Sequence, residues 1–303
     1  MVASASCAAD VLPALEEVGV LGLSSRAGPS ASSMRTSGRE RNGQVARVYH
    51  DKSGIEERCR RGLRQRGKGS ERITLKNMSN GKNGNVRAII FDLDGTLIDS
   101  KLDIVNSVNA MLRETRREEM SIETVAAYIG HGAPRLIAGV LGAESTESQR
   151  AAALNIFLEH YEKHNMDATR AYPGVENALA LLKGNPMAVL TNKPTAASLQ
   201  ILEGLGLAKY FQGIYGGDSF EKKKPDPSGA QFILRELGAV AEESAMVGDS
   251  DVDVQTARNA GMRAVAVKYG FGRYDRGANP ADQYIDRLTE LVKLAKEKQW
   301  GCE

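Results

Sequence analysis

Beyond Val86 the chain alternates between two hydrophobic patterns. Short, nearly unbroken apolar runs, "VRAIIF" (86–91), "MAVLTN" (187–192), "AMVGD" (245–249) and "RAVAVKYG" (263–270), are too uniformly apolar for strands with one wet face and read as strands buried on both sides. "GIYGG" (213–217) is a weaker run of the same kind. Between them apolar residues recur at helical spacing, from Leu102 to Arg116 and in "TAASLQILEGLG", "DPSGAQFILRELG" and "SDVDVQTARNAG". Asp226 reads as an N-cap with Pro227 at the first helical position and Gly238 as the stop, and Gly261 closes the next helix. Buried strands alternating with amphipathic helices predict an α/β fold built on a doubly wound parallel sheet.

One block breaks the alternation. Residues 101–171 carry helical patterns and no convincing strand; Thr146 and Gln149 form a capping-box pair, and Pro173-Gly174 marks the return. The division expected is a core domain from 86–100 and 172–297, an all-helical cap at 101–171, and a short tail at 298–303. An insertion directly after the first strand sits over that strand's C-terminal end, the edge at which open α/β sheets bind ligands. It is placed like a lid.

Residues 1–85 follow neither pattern and read as a low-complexity, disordered extension. "SSRAGPSASSMRTSGRERNG" and "RCRRGLRQRGKGSERI" offer too little apolar surface to offset chain entropy. Three origins are open for residues 1–77: an organelle transit peptide, despite Glu16, Glu17, Glu56 and Glu57; a basic RNA-binding tail, though without interleaved aromatics; or untranslated sequence ahead of a start at Met78. Charge divides at the same place. Residues 1–77 hold 14 Lys+Arg against 8 Asp+Glu, and 78–303 hold 26 against 30, so the body is mildly acidic and no nucleic-acid partner is expected for it. Cys7, Cys59 and Cys302 have no zinc-ligand or disulfide spacing, and no apolar run reaches membrane-spanning length. A cytoplasmic location without membrane association is expected, or plastid or mitochondrion if residues 1–77 are a transit peptide.

Four polar clusters fall at or just beyond strand ends: Asp92 and Asp94, Thr191-Asn192, Lys224, and Asp249 with Asp253. Each alone has an ordinary explanation. Asp-x-Asp-Gly is commonly a turn, Thr-Asn ends strands, Lys224 sits in a charge run, and Asp251 and Asp253 complement a helix dipole. Together, in this order, they point to chemistry. Two carboxylates as close as Asp92 and Asp94 repel, and a cation, a proton or a reaction must offset that cost.

The motifs "DLDGT", "TN", "KKPDP" and "VGDSDVD" resemble those of the haloacid dehalogenase-like hydrolase superfamily. The finer resemblance, over about residues 86–297, is to its phosphoglycolate phosphatase-like branch, carried by "FDLDGTLIDS", "IGHGAPRLI", "YPGV", "TNKP", "KKKPDP", "NAGM" and "YGFG". It implies a Rossmann-like core and Mg-dependent hydrolysis of a small phosphorylated metabolite, 2-phosphoglycolate foremost, through an aspartyl-phosphate. By the same resemblance Asp92 is the nucleophile, and Asp94 the acid for the leaving group and then the base for water. Mg2+ is held by Asp92, the main-chain carbonyl of Asp94 and Asp249, while Asp253 orients a metal-bound water or Lys224. Thr191 and amides near Gly95 and Asn192 hold phosphate oxygens, and Lys224 balances charge.

Within the cap, His131 and Arg135 are candidates for substrate selection, because Gly130 and Gly132 permit a tight loop facing the site. His160 and His164 stand four apart on a helix but have no evident third zinc ligand. Competing readings are phosphatases of nucleotides, pyrophosphate or sugar phosphates, a β-phosphoglucomutase-like enzyme, and a non-catalytic RNA-binding module. Dehalogenation fits less well, because that branch lacks the second aspartate supplied by Asp94.

Overall fold

The computed structural model describes residues 48–49, 87–272, 274–275 and 277–296. The expectations for the rest of residues 1–85, for the three cysteines and for the tail at 298–303 lie outside the described residues. In chain order the strands are β1 (Val48–Tyr49), β2 (Ile89–Phe91), β3 (Ile98–Asp99), β4 (Arg170–Ala171), β5 (Met187–Leu190), β6 (Gly213–Tyr215), β7 (Ala245–Gly248), β8 (Arg263–Val267) and β9 (Gln283–Ile285). The helices are α1 (Lys101–Glu114), α2 (Ile122–Ala126), α3 (Ala133–Leu141), α4 (Glu147–His164), α5 (Val175–Leu181), α6 (Thr195–Gly204), α7 (Ser228–Leu237), α8 (Asp251–Ala260) and α9 (Glu290–Lys296).

Seven strands form a parallel sheet in the order β1-β6-β5-β2-β7-β8-β9. Successive side chains in a strand face opposite ways, and both faces are covered. Ile89, Phe91, Val189, Val247 and Val265 pack with Val175 and Leu179 of α5, Ile201 of α6 and Leu291 of α9. Ile90, Ala188, Met246 and Ala264 pack with Ile233 of α7 and Ala257 of α8. Burying a side chain as large as Phe91 on such a face contributes about 2–3 kcal/mol. This is the doubly wound α/β sheet that the runs predict. Its order reverses at β2, with β5 and β6 on one side and β7 to β9 on the other, so the crevice for ligands opens at the tip of β2.

Helices α1 to α4 share a separate apolar cluster that includes Val108, Met111, Ile137, Val140 and Phe157. The Thr146–Gln149 capping box is present at the start of α4. Three details differ from the sequence reading. The block 101–171 ends in a strand, because β4 pairs antiparallel with β3, Ile98 opposite Ala171 and Asp99 opposite Arg170; two-residue strands carry no readable period. Helix α7 starts one residue later than expected, with Pro227 as its N-cap, and the Asp226 carboxylate accepts from the Ser228 amide. Strands β1 and β9 were not expected. Only Ile285 of β9 is fully buried, so its pattern is too weak to read alone.

Candidate active site

The site is assembled from strand tips. The Asp92 amide donates to the Val247 carbonyl at 2.9 Å, so ladder pairing between β2 and β7 continues into the first aspartate and fixes its backbone. The turn after it closes with the Gly95 amide on the Ile98 carbonyl at 2.9 Å. Gly95 has φ +80°, and a Cβ there would fall inside the Asp249 carboxylate, so glycine is required twice over. Asp249 ends the β7 run, and its Oδ2 accepts from the amides of Phe271 at 3.0 Å and Gly272 at 2.7 Å. Asp253 lies in the first turn of α8, where its Oδ2 accepts from the Ser250 amide and hydroxyl.

Asp92, Asp249 and Asp253 are buried, and each offers a carboxylate oxygen within 4.8 Å of the others. Lys224 stands among them, its side chain 2% exposed, with Nζ 2.8 Å from Asp92 Oδ1 and 2.6 Å from Asp253 Oδ1. The Asp92 contact is an ion pair without hydrogen-bond alignment, and Asp92 Oδ1 has no hydrogen-bond partner. Burial, opposed by Lys224 and reinforced by Asp253, lifts the Asp92 carboxyl from 3.8 to about 6. Burial, followed by the charges of Asp253 and Asp92, pushes Asp249 well above the usual carboxylate range. For Lys224 burial works against the ammonium, but Asp253 and Asp92 outweigh it and push its pKa up to about 12. Three buried carboxylates against one ammonium suit a hard divalent cation.

Asp94 lines the same cavity as Asp92 but is held by other partners. Its Oδ1 accepts from Ser100 Oγ at 2.5 Å and from Lys193 Nζ at 2.8 Å, and its Oδ2 from Lys193 at 3.1 Å. Thr191 follows β5, its amide donating to the Tyr215 carbonyl, and its hydroxyl oxygen accepts from the Lys193 amide at 3.3 Å. The Asn192 side chain is a strut. Its Nδ2 donates to the Gly130 carbonyl in the cap and the Lys224 carbonyl in the core, and its Oδ1 accepts from the Lys224 amide.

A cavity of ≈ 50 Å³ lies between these residues and the cap. Asp92, Asp94, Thr191, Asn192 and Lys193 form its polar floor; Tyr128, Leu136, Phe157 and Tyr161 are among its cap walls. Space on that scale holds a few waters or one small molecule. The glycines of "GHG" line the cavity, with φ +106° at Gly130 and +87° at Gly132, but His131 and Arg135 are exposed and line none of it. His160 and His164 stack at 4.4 Å and bond separately to Ser107 and Asp167. Among the described residues, the cluster able to hold a metal is the aspartate trio. Sequence reasoning missed Lys193 and Tyr161. The "TNKP" motif contains Lys193, but its alkyl chain looks like surface until the cap is in place.

The sequence profile of the haloacid dehalogenase-like hydrolases matches residues 89–267. The chain is 40% identical over 218 residues to the phosphoglycolate phosphatase of Pseudomonas syringae pv. tomato, covering 68% of this chain and 78% of that one. It is 35% identical over 221 residues to the phosphoglycolate phosphatase of Chromobacterium violaceum, covering 70% and 97%. Among solved structures, one described as a predicted phosphoglycolate phosphatase from Haemophilus somnus superposes with a TM-score of 0.65 at 29% identity, over 70% of this chain and 99% of the other. The chain belongs to the haloacid dehalogenase-like hydrolases. It is an enzyme of the phosphatase-like kind that these relatives represent. Among the described residues, no helix is long and apolar enough to cross a membrane.

Proposed function

We propose that the chain hydrolyses a small phosphomonoester, 2-phosphoglycolate best of all, to glycolate and phosphate through an aspartyl-phosphate on Asp92. The observation that carries the reaction is the buried trio Asp92, Asp249 and Asp253, with Lys224 among them. What supports the substrate is the 40% identity to a phosphoglycolate phosphatase and a cavity sized for a small molecule.

A carboxylate oxygen of Asp92 forms a bond to phosphorus as the ester oxygen leaves and takes a proton from Asp94. Asp94 then accepts a proton from water as that water attacks phosphorus, which frees Asp92 and phosphate. Lys224 balances the charge of Asp92 and of the phosphoryl group, while the Thr191 hydroxyl and amides near Gly95 and Asn192 hold phosphoryl oxygens. Mg2+, held by the carboxylates of Asp92 and Asp249 and the Asp94 carbonyl, would supply further neutralisation of those oxygens. Asp253 acts by orienting Lys224.

A phosphate-release screen over small phosphomonoesters, with magnesium and then with EDTA, tests both levels. 2-Phosphoglycolate should rank first and EDTA should abolish release. Equal or better turnover of nucleotides or sugar phosphates would reject the substrate and leave the reaction standing. No metal-dependent release from any ester would reject both.

A further inference from the structure

The reaction above gives Lys193 no task, yet its side chain is 4% exposed and bonded to Asp94. It follows β5 on the core loop. Its Nζ donates to both Asp94 oxygens, at 2.8 and 3.1 Å, and to the hydroxyl of Tyr161 at 2.5 Å. Tyr161 belongs to α4 of the cap. Its ring stacks on Phe157 at 5.6 Å within the cap cluster and lies 4.5 Å from the same ammonium. Holding a lysine chain in one rotamer costs conformational entropy, so three bonds on one nitrogen mark a group kept in place.

We propose that Lys193, braced from the cap by Tyr161, is a positioning residue that fixes the Asp94 carboxyl for proton transfer to the leaving group. The inference rests on the reading of Asp94 as the general acid. Asp94 lies beyond the last ladder-paired residue, and its side chain is set by Ser100 on one side and Lys193 on the other. Because Tyr161 comes from the cap, the acid is aligned where the cap covers the site, tying proton transfer to the exclusion of water.

The test uses leaving groups of different need. Ethyl phosphate and 2-phosphoglycolate expel poor leaving groups that require a proton, whereas acetyl phosphate expels acetate without one. For Lys193→Met, kcat/KM should fall about 100-fold on both esters and under 5-fold on acetyl phosphate. Tyr161→Phe, which keeps the ring packing, should show the same pattern at about 10-fold, with the loss in kcat and not in KM. Asp94→Asn serves as the reference. If Asp94→Asn discriminates between the leaving groups and the other two variants do not, the inference is overturned and the acid stands. If Asp94→Asn loses equally on all three, the acid assignment fails and takes the inference with it. A Lys193→Met loss confined to 2-phosphoglycolate would make Lys193 a receiver of the substrate carboxylate, which also overturns the positioning role.

Discussion

Lys224 Nζ lies 2.8 Å from Asp92 Oδ1, and this one ammonium offsets three buried carboxylates, so the site is electrostatically overloaded without a cation. Asp92 shows the consequence. Its folded pKa, raised from 3.8 to about 6, means that the folded state prefers the proton. Its contribution to stability is therefore whole below pH 3.8 and lost as pH rises through about 6. In EDTA, Asp92→Asn should have a higher Tm than wild type at pH 8, with the gap closing toward pH 5. The rise in Tm caused by Mg2+ in the wild type should be larger at pH 8 than at pH 5. Scanning calorimetry across that range checks both, and turnover by Asp92→Asn should be lost, because an amide cannot form the acyl phosphate.

Gly95→Ala should damage site and stability together. The positive φ alone costs about 1–2 kcal/mol, and the new methyl would displace the Asp249 carboxylate. Activity should fall at least 100-fold, with the Mg2+-induced rise in Tm largely gone. A variant that keeps that rise would show the turn to be more yielding than its packing implies.

Asn192→Ala should leave the fold standing while loosening two attachments. The loop carrying Lys224 loses both of its bonds to the Asn192 side chain, and the Gly130 carbonyl of the cap loses a donor. A loss of about 10–100-fold in kcat/KM is expected, with hydrogen exchange faster around residues 128–132 and 222–226.

Asp103→Ala tests how the two ends of the cap are tied together. The buried carboxylate of Asp103 accepts from the amides of Ala168 and Thr169 and from the Thr169 hydroxyl. Removing it leaves buried donors unmet, at a cost of about 2–4 kcal/mol. Urea unfolding should show that loss; a change below about 0.5 kcal/mol would mean water replaces the carboxylate.

The central strands were legible because each is buried on both faces. A run such as Met187–Leu190 has nowhere to go except the middle of a parallel sheet. The chemistry at their ends was legible for a related reason, since polar groups at or beyond the C-terminal ends of parallel strands emerge at one sheet edge. Thus Asp92, Asp249, Asp253 and Lys224 lie together in the fold. Strand β9 was not legible, because its place depends on parallel pairing with β8 and not on its own pattern. Around His131 the glycines of the loop line the cavity, while His131 and Arg135 themselves are exposed.

Local pattern alone determined the alternating α/β architecture and which acidic and basic groups would meet at the sheet edge, because short-range periodicity and strand polarity follow from backbone geometry. Only tertiary structure decided that Lys193 is buried against Asp94, that Tyr161 braces it and that Asn192 joins cap to core. Those contacts link segments about 30 to 100 residues apart, and their energy comes from excluding water between surfaces that exist only after the cap has folded onto the sheet.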